Sequence, residues 1–214
     1  MSKRPFSLPR VYAITDVSVA RLSHLEQVRQ FVEGGASLIQ LRDKSLSAGE
    51  FYQVARVAIS VAGARNVRLI INDRVDIALA VGADGVHLGQ HDMPPAAARQ
   101  LLGSEAIIGL STHDLEQARA AVELPIDYLA LGPIFRTCTK ADPGPEVGLA
   151  GLQAVRSQIG EFPLVAIGGI SLANAQNVIK AGADSVAVVS ALLSPPGNIL
   201  EQTKSLLRAT NSAR

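Results

Sequence analysis

The sequence lacks tryptophan, is poor in other aromatic residues, contains one cysteine and carries almost no net charge. Aromatic residues make up 4% of its 214 residues, whereas hydrophobic residues make up 48%. The apolar content is therefore mostly aliphatic, which is the composition that buried parallel strands favour. The lone cysteine, Cys138, excludes an internal disulfide and fits a reducing compartment. A net charge of +1 excludes a bulk field that would attract nucleic acid or an anionic membrane.

Long apolar runs are lacking too. No run approaches the roughly 18 residues of a membrane span, and the basic segment before Asp16 has no continuous apolar core of the kind found in a signal peptide. We therefore expect a cytoplasmic protein with no membrane or nucleic-acid partner. A chain of 214 residues can bury a substantial core. We expect one domain over 1–214, with a core at about 10–208 and a short tail at each end.

Apolar runs predict eight strands, which begin near Val11, Leu38, Leu69, Gly85, Ile107, Tyr128, Leu164 and Ser185. The segments between them show helical periodicity, most clearly the apolar stripe at 51–59, which Ser47 and Glu50 precede as a capping box. A Gly-Ala-(Ser/Asp) joint before an apolar run occurs three times, at 33–42, 80–89 and 180–190, and indicates a repeated βα unit.

Eight alternations of strand and helix predict a closed (β/α)8 TIM barrel. Its helices must be brief, because 214 residues are few for this class. The alternative is an open doubly wound sheet, which would usually carry a glycine fingerprint after its first strand. The segment at 16–23, which follows the first predicted strand, contains no glycine. The sequence therefore favours the barrel.

Polar residues follow six of the predicted strands. The runs are QLRDK at 40–44, IIND at 70–73, HLGQHD at 87–92, GLS at 109–111, GPIFRTCTK at 132–140 and IGG at 167–169. Parallel strands place their carboxyl ends at one edge of the sheet, where the following loops build active sites. We therefore expect these runs to form one site with anion- and metal-binding chemistry.

Two aspartates, Asp73 and Asp92, follow neighbouring predicted strands. Neighbouring strands lie about 4.8 Å apart, so the two carboxylates can converge on one cation. Two carboxylates, water and a substrate phosphate are the usual ligands of Mg²⁺. Taken alone, each aspartate could instead cap the helix that follows it. The pairing at adjacent strand ends favours the metal.

Basic residues flank the acidic pair. Arg42 and Lys44 follow the second predicted strand, and Lys140 lies in the long loop after the sixth. Arginine offers a planar fork to phosphate oxygens and lysine a mobile point charge, so that with Mg²⁺ they could neutralise a diphosphate. The same loop offers the hydroxyl groups of Thr137 and Thr139, and long loops often cover or bind ligands. Each basic side chain, taken alone, could equally be a solvated surface residue.

Two more segments suit a phosphate group. Gly168 and Gly169 end the seventh predicted strand, and Val189 and Ser190 follow the eighth. In barrels of this kind the seventh and eighth loops often bind phosphate through backbone N–H groups. The glycine pair is equally consistent with a tight turn that needs positive φ.

Other polar residues are not expected to take part in the chemistry. Three histidines lack metal-ligand spacing: His24, His87 and His113. Ser111 and His113 are too close in sequence to form a hydrolase triad, which needs a separately placed base. Cys138 has no neighbouring histidine, so we interpret it as a tolerated loop thiol rather than a nucleophile.

Taken together, these motifs strongly resemble the thiamine phosphate synthase family. They are QLRDK, NDR, GVHLGQHD, GLSTH, GPIFRTCTK, AIGGI and VAVVS, in that order between Tyr12 and Ser190. A single motif such as AIGGI is weak, whereas the combination with GPIFRTCTK is specific. The resemblance implies a TIM-barrel transferase that joins hydroxymethylpyrimidine diphosphate to a thiazole phosphate and gives thiamine monophosphate and pyrophosphate.

The resemblance also implies a role for individual residues. The pyrimidine diphosphate would contact Gln40, Leu41, Arg42, Asp43, Lys44, Asn72 and Lys140. The thiazole phosphate would contact Thr137, Cys138, Thr139, Gly169, Val189 and Ser190. Asp73 and Asp92 would bind Mg²⁺, and Ser111 would lie against the pyrimidine. The expected catalytic residues are Lys140, Arg42 and Ser111.

The chemistry of these residues agrees with that activity. An aminopyrimidine can delocalise positive charge onto its exocyclic methylene, so pyrophosphate can leave before the thiazole nitrogen attacks. Such a path needs a stabilised leaving group and a dry pocket rather than a nucleophile. Two alternatives stay open, a thiazole tautomerase-like isomerase on the same barrel and a non-catalytic sensor of phosphate ligands, because fold alone does not separate them. A homo-oligomer is also left open.

Overall fold

The computed structural model describes residues 6–137 and 144–211, which form a closed barrel of parallel strands surrounded by helices. The strands are β1 (Val11–Ile14), β2 (Leu38–Leu41), β3 (Arg68–Asn72), β4 (Gly85–Leu88), β5 (Ile107–Thr112), β6 (Tyr128–Leu131), β7 (Leu164–Ile167) and β8 (Ser185–Val188). Each strand pairs in parallel with the next along the chain, and β8 pairs with β1 to close the ring. The predicted (β/α)8 TIM barrel is confirmed.

Most of the helices between the strands are short. Within the described residues the helices are α1 (Val17–Ala20), α2 (His24–Glu33), α3 (Ala48–Gly63), α4 (Val75–Val81), α5 (Pro95–Leu102), α6 (Leu115–Ala121), α7 (Gly148–Ile159), α8 (Ala175–Lys180), α9 (Ser190–Leu193) and α10 (Ile199–Asn211). Among those between strands, α3 and α7 are the exceptions, with 16 and 12 residues. The predicted capping box is confirmed at α3, where Ser47 and Glu50 each accept a hydrogen bond from the other's backbone N–H. None of the described helices has the length and apolar content that crossing a bilayer requires.

Two of the three repeated joints, those before β4 and β8, contain Gly-Ala-Asp, and their aspartate has a structural role that Asp127 shares before β6. An aspartate stands directly before β4, β6 and β8, and its carboxylate accepts a hydrogen bond from a backbone N–H at the start of the preceding strand. The pairs are Asp84 with Leu69, Asp127 with Ile108 and Asp184 with Leu164, at 2.9, 2.7 and 2.9 Å. A barrel has no free edge, but its strand ends leave N–H groups that must be satisfied. The aspartates satisfy them and tie neighbouring strands into register.

The strands bury two layers of side chains. One layer packs between the barrel and the helices. The other fills the barrel interior and consists of Tyr12, Ile14, Leu38, Ile70, Ile107, Tyr128, Ala130, Val165 and Ala187. Phe6 packs against this interior layer, with its ring 6.1 Å from that of Tyr128. The interior layer forms a solid floor beneath the carboxyl ends of the strands, where polar side chains begin.

Candidate active site

A cavity of about 780 Å³ opens at the carboxyl ends of the strands, and every strand contributes to its lining. The predicted site residues that line it are Gln40, Arg42, Lys44, Asn72, Asp73, Asp92, Ser111, Thr137, Gly169, Val189 and Ser190. Segments far apart in sequence therefore meet at one place. Three other predicted residues lie outside the described part of the chain: Cys138, Thr139 and Lys140.

Two predicted residues of the QLRDK motif do not line the cavity. Side chains alternate between the two faces of a strand, so Gln40 points into the barrel and Leu41 points out. The Leu41 side chain is fully buried against the helices, so the predicted substrate contact of Leu41 would have to be made by its backbone. The motif contributes alternate residues, not a continuous surface.

The Asp43 carboxylate is also turned away from the cavity. It accepts hydrogen bonds from the backbone N–H groups of Ser45 and Leu46 at 2.7 and 2.8 Å, and it lies 2.8 Å from Nε2 of His24. Burial works to raise the pKa of Asp43, but the hydrogen bonds from His24, Leu46 and Ser45 outweigh it and lower the pKa to about 2. The acceptor sites of the carboxylate hold the loop after β2, so the predicted substrate contact of Asp43 would have to be made by its backbone.

The acidic pair converges as predicted. Burial, then the hydrogen bond and the charge of Asp92, raise the pKa of Asp73 to about 6, although Lys44 and Arg42 oppose the shift. Nζ of Lys44 lies 3.8 Å from Oδ2 of Asp73, and Oδ2 of Asp92 accepts a hydrogen bond from the N–H of Gly89 at 2.6 Å. Two half-buried carboxylates that repel each other are a poor structural element but a suitable pair of ligands for a divalent cation.

The alternative interpretation of these aspartates as helix caps is wrong. The residue before α4 is Arg74, and the residue before α5 is Pro94; neither helix has a side-chain cap. Asp73 also adopts a left-handed backbone conformation with φ of 61°, which aspartate tolerates better than most residues. Within the described residues, no third histidine, cysteine or acidic residue joins the pair to form a larger metal cluster.

Arg42 is held in place by a residue that the sequence analysis did not identify. Its Nη1 donates to Oδ2 of Asp16 at 3.0 Å, and both side chains are mostly buried. The other oxygen of Asp16 accepts from the N–H groups of Ser18 and Val19 and so caps α1. The guanidinium is therefore fixed by a carboxylate that is itself fixed. Asp16 follows β1 in the motif VYAITD. This strand is followed by a polar residue in the same way as the six strands whose polar ends predict the site.

A chain of buried polar side chains crosses the barrel beneath the cavity. Gln40 donates through Nε2 to the Tyr12 hydroxyl at 3.0 Å, and that hydroxyl lies 3.0 Å from the hydroxyl of Tyr128. Tyr128 in turn lies 3.0 Å from Nδ1 of His87, whose Nε2 is 2.9 Å from Oγ of Ser111. Sequence reasoning missed Tyr12, Tyr128 and His87, because the chain partners come from different strands and only the closed barrel brings them together.

The contact between Ser111 and His87 has the residue types of a hydrolase dyad but not its chemistry. Burial lowers the pKa of His87 to about 4, and the charge of Asp92 offsets only part of this effect. The second ring nitrogen faces a tyrosine hydroxyl rather than the carboxylate that a catalytic triad places there. His87 is therefore a weak base, and Ser111 is not activated as a nucleophile.

The end of β7 requires glycine. Gly168 and Gly169 have φ of 100° and 63°, and a Cβ atom on Gly169 would lie 2.6 Å from the backbone oxygen of Arg136. The glycine pair thus lets the loops after β6 and β7 approach closely. The predicted tight turn is present, and Gly169 lines the cavity beside it, so the two interpretations of this motif are compatible.

Comparison with known proteins gives one family. Residues 11–192 match the family described as thiamine monophosphate synthase. The thiamine-phosphate synthase of Syntrophomonas wolfei is 48% identical over 184 residues, 86% of this chain and 88% of that protein. The one of Azorhizobium caulinodans is 44% identical over 211 residues, 98% of both chains. The solved structure of thiamine phosphate pyrophosphorylase from Pyrococcus furiosus has a TM-score of 0.87 and 36% identity over 95% of this chain and 96% of that one. This chain belongs to the thiamine monophosphate synthase family.

Proposed function

We propose that this protein is a Mg²⁺-dependent transferase that joins hydroxymethylpyrimidine diphosphate to a thiazole phosphate. The bond between the pyrimidine methylene carbon and the diphosphate oxygen breaks, and pyrophosphate leaves with the electron pair. A bond from the same carbon to the thiazole nitrogen then forms and gives thiamine monophosphate. The observation that carries the proposal is the convergence of Asp73, Asp92, Arg42 and Lys44 in one cavity with a buried floor. The names of the relatives support it.

The acidic pair fits Mg²⁺ on chemical grounds. Carboxylate oxygens are the ligands that this ion prefers, and it completes its shell with water and phosphate oxygens. Burial and the neighbouring Asp92 carboxylate together raise the pKa of Asp73, so a cation at this place would favour its charged form. A bound Mg²⁺ would supply that positive charge and neutralise a departing diphosphate. Asp73 and Asp92 are the residues that would hold it.

Two basic residues would stabilise the diphosphate, one with a fixed charge and one with a mobile charge. Arg42, anchored by Asp16, presents its guanidinium in one orientation. Lys44 is 63% exposed and only loosely paired with Asp73, so its ammonium group can move from the carboxylate to a diphosphate oxygen. Charge that develops on the leaving group is best stabilised by groups already in position. By the family resemblance, Asn72 and Lys140 contribute to the same diphosphate site.

The barrel floor supplies a dry surface for the pyrimidine. Gln40, His87 and Ser111 line the cavity, and the tyrosine layer beneath them excludes water. A cation that forms when pyrophosphate leaves survives long enough to react with the thiazole only if water is kept away. The described residues around the floor orient the ring rather than attack it. Thr137, Gly169, Val189 and Ser190 line the cavity too and suit the thiazole phosphate.

A direct assay tests the proposal. The purified protein is incubated with both phosphorylated substrates, and thiamine monophosphate and pyrophosphate are measured with Mg²⁺ and with excess chelator. We expect product only with the metal. Asp92→Asn should lower kcat/KM by on the order of 100-fold, the typical cost of losing one stabiliser of developing charge, whereas Asp76→Asn on the exposed face of α4 should not.

Two outcomes would contradict the proposal. Product that forms equally well in chelator would remove the metal and the role of the acidic pair. Isomerisation of a thiazole without any use of the pyrimidine diphosphate would favour the tautomerase-like alternative on the same barrel. The cytoplasmic location and the single domain over 1–214 that the sequence predicts stay part of the proposal.

A further inference from the structure

The five-residue chain beneath the cavity has a direction, and we propose that this direction selects the pyrimidine. The chain is Gln40, Tyr12, Tyr128, His87 and Ser111. His87 acts as the positioning residue: its Nε2–H donates to Ser111, which leaves the Ser111 hydroxyl hydrogen to donate into the cavity and the Gln40 carboxamide oxygen to accept from it. The inference rests on the proposed function and extends it to the recognition of one substrate.

The direction follows from counting hydrogens along the chain. Gln40 donates to the Tyr12 hydroxyl, so the single hydrogen of that hydroxyl is free to donate to Tyr128. The Tyr128 hydroxyl in turn donates a hydrogen bond to Nδ1 of His87. A neutral imidazole has one N–H, and with Nδ1 accepting, that N–H is on Nε2 and faces Oγ of Ser111. Each hydroxyl and imidazole hydrogen between Tyr12 and His87 then has one acceptor, as buried polar groups require.

The neutral state of His87 is set by its surroundings. The ring is 8% exposed, its two nitrogens face hydroxyl groups rather than a carboxylate, and it stacks on the Tyr128 ring at 5.6 Å with 19° between the planes. A charged imidazole would need both nitrogens to donate, and the hydrogen of Tyr128 would then have no acceptor at Nδ1. The stack also prevents the ring from turning its nitrogens elsewhere.

Backbone geometry holds the chain rigid. Gly109 pairs with His87 on one side and Tyr128 on the other, and a Cβ atom at Gly109 would lie 2.1 Å from Cζ of Tyr128. The missing side chain is therefore the space that the tyrosine ring occupies. Tyr12 meets the same ring edge-on at 5.9 Å and 83°. This close packing fixes the positions of the two tyrosine rings and hence of their hydroxyl oxygens.

The two ends of the chain offer one acceptor and one donor, which is the complement of an aminopyrimidine. The exocyclic amino group can donate to the Gln40 oxygen, and a ring nitrogen can accept from the Ser111 hydroxyl. An oxo analogue presents the reverse pattern, with a carbonyl acceptor in place of the amino donor and an N–H in place of the ring lone pair. A site built to hydrogen-bond one pattern rejects the other because its buried groups are left unpaired.

Binding of unreactive ligands tests the inference without the chemistry of the reaction. Dissociation constants are measured by calorimetry for hydroxymethylpyrimidine monophosphate with the amino group and for its oxo analogue. We expect the wild-type protein to prefer the amino ligand by about 100-fold or more, and Tyr128→Phe, which keeps the ring but breaks the chain, to lose about tenfold of that preference. The matched control Thr203→Val also removes a buried hydroxyl, but one that bonds within α10, and should keep the preference.

Nitrogen NMR of the wild-type protein gives a second readout that needs no variant. The histidine shifts should show His87 with its hydrogen on Nε2; a hydrogen on Nδ1 would reverse the chain and overturn the inference. An unchanged preference in a folded Tyr128→Phe would also overturn it. These results leave the proposed function intact if the wild-type protein makes thiamine monophosphate. A wild-type protein that makes none and binds neither ligand would instead overturn the proposed function and the inference with it.

Discussion

At the scale of single residues, the site combines side chains that have favourable partners with side chains whose surroundings are unfavourable. Asp43 and His87 have hydrogen-bond partners at each side-chain oxygen or nitrogen, and Asp16 anchors Arg42 through Nη1. Asp73, in contrast, is half-buried next to a second carboxylate. Folding must leave that repulsion in place, because a cation is the group that relieves it. The acidic pair is thus a case in which a binding site costs stability in the unliganded protein.

Replacing Asp73 should therefore stabilise the metal-free protein. The folded-state pKa of Asp73 is about 6, against an ordinary value of 3.8. An acid with a raised pKa destabilises the fold as the pH rises from its unfolded value through its folded value, and the penalty is complete above that. Asp73→Asn should increase the free energy of unfolding at pH 7.5 by on the order of 1–3 kcal/mol, with the gain gone near pH 3.5. Asparagine also tolerates the positive φ.

Chemical denaturation in chelator at the two pH values measures this effect. Asp76→Asn serves as the control, because Asp76 pairs with Arg74 at 2.5 Å, and that hydrogen bond lowers its pKa. The control variant should be no more stable than wild type. A loss of stability in Asp73→Asn at pH 7.5 would show that the acidic pair is held by favourable contacts, contrary to the argument.

At the scale of elements, the barrel strands were the most predictable part of the molecule. Seven of the eight strands begin at the residue where the apolar run begins, and β3 starts one residue early at Arg68. The reason is that a parallel strand is buried on both faces, so its sequence is a nearly continuous run of apolar residues. The residues of the site were harder to predict. A motif such as QLRDK consists of sequence neighbours, whereas a strand presents only alternate side chains to one face. For that reason the Leu41 side chain packs in the core while Gln40 and Arg42 line the cavity.

The buried chain shows the other limit of sequence reasoning. Tyr12 and Tyr128 are 116 residues apart, and Tyr128 and His87 are 41 apart, so no local pattern connects them. Each is also a residue that commonly fills a core, and Tyr128 was recognised only as the start of a strand. Their joint role depends on barrel closure and on Gly109, which looks like an ordinary strand glycine until its neighbours are known.

Gly109 gives a sharp prediction about β5. Alanine there would place its Cβ 2.1 Å from Cζ and 2.3 Å from the hydroxyl of Tyr128, so the ring must move. Overpacking of this kind costs about 1–3 kcal/mol or more, and the displaced hydroxyl breaks the chain to His87. Gly109→Ala should therefore lower both the midpoint of thermal unfolding and the kcat/KM of the proposed reaction.

Gly49→Ala is the matched control for that variant. Gly49 lies in the first turn of α3, and a Cβ atom there meets nothing within 4 Å, so alanine should raise helix stability by up to about 1 kcal/mol. Thermal unfolding and steady-state kinetics of the two variants give the comparison. A Gly109→Ala protein as stable and as active as Gly49→Ala would contradict the packing argument.

At the scale of the whole molecule, the cavity joins strands that the sequence separates. The basic residues and the acidic pair come from β2, β3, β4 and the loops that follow them. These strands are hydrogen-bonded neighbours in the closed barrel. A ligand that binds all three loops at once should therefore stabilise the fold as a unit. The relevant ligand is a metal diphosphate, because neither the metal nor the anion alone satisfies both signs of charge.

Magnesium and pyrophosphate should accordingly stabilise the protein together. Binding to the folded state adds about 2.7 kcal/mol at a ligand concentration of 100 times Kd, which for a chain of this size corresponds to a shift of several degrees in Tm. Without the metal, pyrophosphate would approach Asp73 and Asp92 as an anion facing two carboxylates. Without pyrophosphate, Mg²⁺ would lack the phosphate oxygens that complete its shell. We expect each alone to give a much smaller shift than the two together.

Thermal unfolding with each component alone and with both measures the synergy, and Lys44→Met and Asp92→Asn should each reduce it. The control is Lys204→Met on α10, where the lysine pairs with Glu201 at 3.0 Å and does not line the cavity. Pyrophosphate that raises Tm equally in chelator would show that the anion binds through the basic residues without the acidic pair. The cavity would then be an anion site, and the metal would have to be removed from the proposed mechanism.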